Sequence, residues 1–302
     1  MPKSPKGMGS GAGPASAPRV KTAQAIAGQV ESNHSAVGHA QHFAGHRERL
    51  TQEIRARAPG GGAGRLCLLG AGNAYDVDLA ALAASFAEIH LVDVDRASVE
   101  GARAAAPPDV APRLTLHAPV DVSGVFADLE SWAANPPAPT RHAAIVDAAI
   151  ARATGALPGP FDVVVSCCLL TQIQLALLQV VGERNPRFAD LRTLIGRIHM
   201  RVLGRLAAPR GCALLVTDLT SSDTYPFDVL GTDQTVLRPL MEHLLSIGNV
   251  IHSAHPGLLS AEIRRHPEWS AAYEVKAPSD PWLWHNGPDK TYLVYAMEIR
   301  PR

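Results

Sequence analysis

Residues 65–95 constrain the fold of this chain most, because two short apolar runs flank a glycine turn and a helix-like stretch. The first run, 66–69, stops at Gly70-Ala71-Gly72, and the second run ends in Asp93. Short apolar runs bounded by glycine are typical of buried strands, and the stretch between them is long enough for a helix. The segment predicts a strand, a tight turn, a helix and a second strand that ends in a carboxylate.

The rest of the chain continues this alternation of strands and helices. Strands are predicted at 113–117, 161–166 and 212–217, and helices at 96–105, 123–134, 140–154, from Asn185-Pro186 onward, 233–247 and 257–266. Such alternation favours a parallel sheet with helices on both faces. Two late strands, 271–276 and 291–299, joined through 278–290, predict an antiparallel hairpin. We therefore expect an α/β, Rossmann-like fold with a mostly parallel seven-stranded sheet and an antiparallel C-terminal hairpin strand.

The composition of successive segments predicts the domain organisation. Residues 1–20 consist mainly of small residues, proline and lysine, which predicts a disordered tail. Residues 21–58 are alanine-rich and proline-free, and we expect them to form a helical lid that is too short for its own core. The main domain is then 62–302, with helical insertions near 140–158 and 219–268.

Charge and cysteine usage narrow the function classes. The formal net charge is zero and no basic stripe runs along the chain, so we expect a small-molecule substrate and no nucleic-acid partner. No apolar run reaches membrane-spanning length, so no membrane partner is expected. The four cysteines lie in apolar runs without metal-site spacing, which predicts reduced thiols, no metal site and a cytoplasmic protein. A monomer and a homodimer remain alternatives.

The glycine turn and the carboxylate after it form a layout that suits a nucleoside, because glycines let the backbone approach the ligand and an acid accepts hydrogen bonds from ribose hydroxyls. A dinucleotide turn would place a third glycine where this chain has Tyr75. Asn73, Asp76 and Asp78 crowd the turn instead. Acids repel a pyrophosphate but pair with an ammonium group, which favours S-adenosylmethionine. The alternative is that Asp76 and Asp78 lie at the start of a helix, where acidic residues suit the helix dipole.

At this point the chain resembles the class I S-adenosylmethionine-dependent methyltransferases over residues 62–302. The likeness is carried by Leu69-Gly70-Ala71-Gly72-Asn73, by Val92-Asp93, by Asp121 after the third strand and by the strand 161–166. It implies that Gly70 and Gly72 line the methionine part, that Asp93 holds the ribose, that Asp121 meets the adenine amine, and that Cys167 and Cys168 flank the methyl group. The expected cofactor-binding set is Gly70, Ala71, Gly72, Asn73, Asp76, Asp93, Val94, Asp121, Val122, Cys167 and Cys168.

The chain departs from the family pattern in two places. The acid often found at the end of the first strand is replaced by Leu69, so Asp76 or Asp78 is expected to supply that charge. A histidine-containing run after the fourth strand is replaced by Leu170-Thr171-Gln172, which leaves that place without a histidine base.

The expected catalytic residues are Gln172 after the fourth strand, Asp218 at the end of the fifth strand, and His285. Gln172 and Asp218 would orient the acceptor, and His285 would be the base where one is needed. Trp282 and Trp284 either form a wall of the substrate site or pack as aromatic rings at the hairpin. Tyr225 either faces the substrate or forms hydrogen bonds within its own loop. His39, His42 and His46 share helical spacing, for which we expect a lid or surface role before a metal site.

The sequence-based hypothesis is methyl transfer from S-adenosylmethionine to an unidentified, small-molecule acceptor. A non-catalytic S-adenosylmethionine- or nucleoside-binding regulatory protein on the same fold is the main alternative, since fold does not fix activity. An aminopropyl transferase is disfavoured because its Gly-Gly-Gly-Asp-Gly turn is missing, and a nicotinamide-dependent oxidoreductase is disfavoured by Tyr75.

Overall fold

The computed structural model describes residues 20–230 and 234–302. Residues 1–19 of the predicted disordered tail therefore lie outside the described residues. The strands are β1 (Gly64–Leu69), β2 (Phe86–Val92), β3 (Leu114–His117), β4 (Phe161–Cys167), β5 (Ala207–Ser221), β6 (Tyr273–Val275), β7 (Trp282–His285) and β8 (Thr291–Pro301). The helices are α1 (Thr22–Ala36), α2 (Ala44–Arg55), α3 (Leu79–Ala83), α4 (Arg96–Ala105), α5 (Leu129–Ala134), α6 (His142–Gly155), α7 (Leu169–Val181), α8 (Phe188–Leu206), α9 (Leu237–Ile247), α10 (Pro256–Arg264) and α11 (Pro267–Ala272).

One mixed sheet organises the described chain, with the strand order β3-β2-β1-β4-β5-β8-β6 and β7 also paired to β8. The pairs β1–β2, β1–β4, β2–β3 and β4–β5 are parallel, and β8 is antiparallel to β5, β6 and β7. This topology confirms the predicted Rossmann-like fold with an antiparallel C-terminal strand. The strand order reverses between β1 and β4, and open α/β sheets bind ligands at such a switch point, beyond the carboxyl ends of the strands.

The sheet has one short strand more than expected, β7, in the segment that the sequence indicated as a connection. β7 forms the hairpin with the start of β8, and β6 pairs with the end of β8. Trp282 and Trp284 are buried while His285 is exposed, which is the alternation of a strand with one covered face.

The two faces of the sheet carry separate hydrophobic clusters, as β1 illustrates. Leu66 and Leu68 pack with residues of α2, α3 and α4, whereas Cys67 and Leu69 pack with residues of α5 to α8. All four side chains are fully buried. A strand buried on both faces reads as a continuous apolar run, which explains why β1 and β4 were recognisable in the sequence.

Two helices begin later than the sequence suggested. α3 starts at Leu79 instead of residue 76, because Ala74 takes a left-handed conformation (φ 55°) and Asp78 caps the helix by accepting the Ala81 N–H at 3.0 Å. α8 starts at Phe188, after the Asn185 side chain accepts the Arg187 N–H at 2.9 Å.

The N-terminal segment packs across the carboxyl edge of the sheet. The Val20 N–H donates to the Gln179 carbonyl of α7 at 3.0 Å, and the Gln29 side chain donates to the Gln172 carbonyl at 3.1 Å. In the neighbouring α2, Leu50 and Ile54 are fully buried. Within the described residues, no helix combines the length and apolarity needed to cross a bilayer.

Candidate active site

The turn after β1 brings backbone to the switch point of the sheet. Gly70 and Gly72 have φ values of 72° and 46°, which L side chains rarely adopt. A Cβ atom at Gly70 would lie 3.1 Å from the Leu169 Cβ, and one at Gly72 would lie 3.0 Å from the Asn33 Oδ1. The Gly70 and Ala71 N–H groups donate to the Val92 carbonyl at 2.9 and 3.1 Å. The turn is therefore fastened to the end of β2 and leaves no room for side chains.

Asp93 stands directly beside this turn. Its Oδ2 accepts the Gly72 N–H at 2.8 Å and its Oδ1 accepts the Asp95 N–H at 2.9 Å, while only 7% of the residue is exposed. Burial raises the pKa of Asp93, and the hydrogen bonds from Asp95 and Gly72 oppose that rise. Because a carboxylate has about four acceptor positions, acceptor capacity remains for hydroxyl groups of a ligand.

Asp121 uses its carboxylate chiefly to hold its own loop. Oδ1 accepts the N–H groups of Ser123 and Gly124 at 2.9 and 3.1 Å and also the Ser123 hydroxyl. Oδ2 accepts the Phe126 N–H at 2.9 Å. The carboxylate therefore stabilises its own loop, and a contact with a ligand amine stays a prediction for the remaining lone pair of Oδ2.

Three adjoining cavities open at this edge of the sheet, and we call them A, B and C. Cavity A has a volume of about 20 Å³ and lies between Asp93, Asp121 and the apolar side chains Val94, Val122 and Ile173. Cavity B has a volume of about 180 Å³ and includes the glycine turn, Asp76 and Cys167. Cavity C has a volume of about 220 Å³ and includes Asp218, Cys168 and Tyr292.

A few residues line more than one cavity and so mark where the cavities meet. Asn33 and Gly70 line both A and B, whereas Trp284 and Asn286 line both B and C. Gln172 lines all three. A ligand that extends through A and B would therefore present its far end to cavity C.

Among the residues that the structure describes, the linings of the three cavities contain four carboxylates and neither lysine nor arginine. The carboxylates are those of Asp93, Asp121, Asp76 and Asp218. Charges inside such a cleft act more strongly than in water, because protein walls replace the screening solvent. The site therefore favours cationic ligands and disfavours a pyrophosphate.

Asp76 is the carboxylate of cavity B, and its Oδ1 lies near the buried His46 ring without a hydrogen bond to it. Burial raises the pKa of Asp76 to about 7, with Arg47 acting in the opposite direction. The Trp282 Nε1–H donates to the His46 Nδ1 at 3.0 Å, which leaves the proton of a neutral imidazole on Nε2, 3.5 Å from the Asp76 Oδ1. Burial, with a further contribution from Arg47, lowers the pKa of His46 to about 3, so the ring is neutral at physiological pH.

The histidines His39, His42 and His46, whose spacing suggested a shared helix face, do not lie on one face. His39 and His42 lie in a 3₁₀ turn with ring centroids 6.1 Å apart, whereas His46 is buried in α2 against the Trp284 ring at 4.8 Å. The described part of the chain contains no cluster of histidine, cysteine and acidic side chains that could hold a metal ion. Arg47 donates to the Tyr75 carbonyl at 2.7 Å and so fastens α2 to the turn.

Cys167 and Cys168 lie at the end of β4, one lining cavity B and the other cavity C. Burial raises the pKa of both thiols well above the ordinary value, so they are protonated and unreactive at neutral pH. Cys168 has a φ of 48°, a rare conformation for a non-glycine residue, and its N–H donates to the Val216 carbonyl at 3.1 Å. The two residues act as small apolar walls where β4 turns into α7.

Of the three expected catalytic residues, the structure brings two to the cavities. Asp218 is 5% exposed and its Oδ1 accepts the Thr171 hydroxyl at 2.6 Å. Gln172 stands where the cavities meet. His285 lines none of the three cavities, because it is on the exposed side of β7, where its Nδ1 lies 3.0 Å from the Thr291 hydroxyl. Tyr225 also lines none of them and packs against Phe227.

Sequence reasoning missed the contribution of α1 to these cavities. Gln29, Ser32 and Asn33 line them, and the Asn73 side chain donates to the Asn33 carbonyl. The Asn33 side chain in turn donates to the Asp95 Oδ2 at 3.4 Å. A usable signal existed, since polar residues at positions i, i+3 and i+4 share one face of a helix. Asn286 and Tyr292 were also missed as lining residues.

Comparison with solved structures returns proteins of low sequence identity. The glycopeptide N-methyltransferase MtfA complexed with S-adenosyl-L-methionine is 14% identical, with a TM-score of 0.42, over 83% of this chain and 85% of that chain. The YcgJ protein from Bacillus subtilis is 13% identical, with a TM-score of 0.41, over 84% and 99%. CrArsM, an arsenic(III) S-adenosylmethionine methyltransferase from Chlamydomonas reinhardtii, is 13% identical, with a TM-score of 0.37, over 86% and 73%.

The sequence matches no known protein family and no curated protein. The fold assignment rests on the strand order and pairing given above.

Proposed function

We propose that this protein binds S-adenosylmethionine in cavities A and B and transfers its methyl group to a small molecule in cavity C. The observation that carries the proposal is a run of acid-lined cavities at the glycine turn and Asp93, whose described lining contains no lysine or arginine. A sulfonium and an ammonium are both cations, so a methyl donor of this kind fits the charge of the site.

Each part of the donor has a counterpart in the cavities. Adenine suits the apolar walls Val94 and Val122 of cavity A, with Asp121 at its edge. The ribose hydroxyls would bond to Asp93, and the amino-acid part would run past the glycine turn. The donor ammonium would pair with Asp76, and the methyl group would lie beside Cys167 and Cys168.

The segment 21–58 would serve as the lid of this site. With α1 in its described position, cavity A holds only about 20 Å³, which is too small for an adenine ring. Gln29 and Asn33 of α1 line that cavity. Entry of the donor therefore requires α1 to shift outward, and its return would exclude water from the bound donor.

Methyl transfer is a displacement in line with the carbon–sulfur bond, and the sulfonium is already activated. The protein's part is then to align the acceptor with the methyl group and to exclude water. Gln172 stands at the meeting point of the cavities, and Asp218 anchors the far side of cavity C. A base is needed only where the acceptor must lose a proton before it attacks the methyl group.

Calorimetric titration with S-adenosylhomocysteine, S-adenosylmethionine and a nicotinamide dinucleotide tests the proposal. We expect the first two to bind and the dinucleotide not to bind. Asp93→Asn should weaken the binding of both about 30-fold, since charge-assisted hydrogen bonds to the ribose are lost. The exposed Asp109→Asn is the matched control and should bind like the parent protein. Uptake of the dinucleotide alone would refute the proposed function.

A further inference from the structure

Asp218 carries a buried carboxylate that no lysine or arginine of residues 20–230 and 234–302 approaches as an ion-pair partner. Thr171 donates to one oxygen at 2.6 Å. Lys290, the cation whose charge reaches Asp218, is bound to Asp223 at the rim. Burying a carboxylate without a cation is costly, so a buried acid that faces a cavity is a candidate for ligand recognition.

The strand is irregular at this carboxylate. The register of β5 against β8 shifts between Asp218 and Thr220, so Leu219 is an extra residue with no partner across the ladder. Bulges of this kind redirect side chains and occur next to active sites. The bulge and the lack of an ion-pair partner among the described residues are independent observations on Asp218.

Two aromatic rings stand in the same cavity as Asp218. Trp284 and Tyr292 face each other across the β7–β8 ladder, with ring centroids 5.2 Å apart and planes inclined by 31°. Burial, with the neighbouring charge of Asp218, raises the pKa of Tyr292 to about 12, so its ring stays neutral. Aromatic faces beside a carboxylate attract a cation with an apolar body.

Resting on the proposed function, we propose that the methyl acceptor is an aliphatic amine, which enters cavity C as an ammonium paired with Asp218 and packed against Trp284 and Tyr292. An anionic nucleophile such as a phenolate or a thiolate would be repelled by Asp218 and Asp76. No lysine or arginine within 20–230 and 234–302 lines cavity B or C to offset that repulsion.

The proposed transfer needs only the amine, the Asp218 carboxylate and the sulfonium donor. The ammonium gives one proton to the Asp218 carboxylate, which frees the nitrogen lone pair. That pair forms the new nitrogen–carbon bond while the carbon–sulfur bond breaks and its electrons remain on sulfur. The products are an N-methylated ammonium, neutral S-adenosylhomocysteine and protonated Asp218, which returns its proton to solvent. Burial raises the pKa of Asp218, against the hydrogen bond from Thr171, and this favours proton acceptance.

A charge series on fixed carbon skeletons tests the acceptor class. The protein is saturated with S-adenosylhomocysteine and titrated with hexylamine, hexanol and hexanoate, and with 2-phenylethylamine, 2-phenylethanol and phenylacetate. We expect the amines to bind at least about ten-fold more tightly than their alcohols, and the carboxylates not to bind. Release of S-adenosylhomocysteine from S-adenosylmethionine is then measured for a panel of primary and secondary amines, and we expect turnover with at least one of them.

Variants separate the acceptor site from the donor site. Asp218→Asn should weaken amine binding about 10- to 100-fold while leaving the affinity for S-adenosylhomocysteine unchanged. Asp289→Asn, which changes an exposed acid between β7 and β8, should change neither affinity. Tyr292→Leu should weaken amine binding and Tyr292→Phe should preserve it, which keeps the test intact if Asp218→Asn does not fold.

The two proposals fail in distinguishable ways. If the parent protein does not bind S-adenosylhomocysteine, the proposed function is wrong. If it binds S-adenosylhomocysteine but prefers the alcohols or carboxylates, or if Asp218→Asn binds amines as well as the parent, the amine assignment alone is overturned.

Discussion

The acidic residues around the cavities differ in what their carboxylates bond. Asp78 and Asp95 accept N–H groups of the helices they cap, and Asp121 accepts four donors from its own loop. Asp76 and Asp218 line cavities B and C instead, and the Asp218 carboxylate accepts only the Thr171 hydroxyl and its own backbone N–H among the described residues. The first group stabilises local structure, and the second group keeps negative charge available to a ligand.

Under the proposed function, Asp76 would give donor binding a pH dependence. Its pKa in the empty protein is about 7, and a bound ammonium favours the ionised form. Below that pH the ligand must displace a proton, so affinity falls as pH falls. We expect the affinity for S-adenosylhomocysteine to rise about eight-fold from about pH 6 to about pH 7.5. His46 stays neutral throughout, since its pKa is about 3.

Calorimetry at these two pH values checks this, with Asp76→Asn as the comparison. The variant should bind S-adenosylhomocysteine more weakly at the higher pH and with a flatter profile. Its affinity for 5′-methylthioadenosine, which lacks the amino-acid part, should be unchanged. Parallel profiles for the parent protein and the variant would remove Asp76 from the ammonium site.

At the scale of elements, α1 buries only Thr22 and Ala25 of its fifteen residues, and polar contacts hold its cavity side. The Asn33 side chain donates to Asp95, the Asn33 carbonyl accepts from Asn73, and Gln29 donates to the Gln172 carbonyl. A helix held in this way opens at low cost compared with a core element.

We expect Asn33→Ala to speed the dissociation of S-adenosylhomocysteine about five-fold, because one of these hydrogen bonds is lost. Stopped-flow displacement measures the rate. Glu31→Ala, an exposed change on the same helix, should leave it unaltered. Equal rates for Asn33→Ala and the parent protein would show that α1 does not retain the ligand.

How far each element could be predicted follows from how local its determinants are. β1, the glycine turn, β2 and Asp93 lie within one stretch of about thirty residues, and the turn is recognisable from its glycines alone. β7 has only four residues, and the Asn286-Gly287-Pro288 turn beside it read as part of a long connection. The cavity residues of α1 meet the turn across more than thirty intervening residues, so no local pattern ties them to it.

At the scale of the whole molecule, one ion network joins the N-terminal segment to the last strand. The Arg57 Nε–H of the segment after α2 donates to the Glu298 Oε2 of β8 at 2.6 Å, and Arg57 also donates to the Glu53 Oε2 at 2.8 Å. Arg300 pairs with the other oxygen of Glu298. Breaking a partly buried pair leaves a charge unmatched, which costs more than the pair itself contributes.

Glu298→Gln should therefore lower the free energy of unfolding by roughly 1–3 kcal/mol at neutral pH. Burial raises the pKa of Glu298, but Arg300 and Arg57 together lower it below the ordinary value. The stabilisation is present above the unfolded pKa and is lost as pH falls, so the variant and the parent should converge in acid. Urea denaturation at several pH values measures this, and a constant difference between them would contradict it.

The small volume of cavity A under α1 has a consequence for turnover. Residues of α1 line all three cavities, so under the proposed function one helix would have to move for the donor to enter and for the products to leave. The rate at which α1 opens would then limit turnover, and methyl transfer itself would be faster. We expect a bound nucleoside to co-purify with the protein from cells.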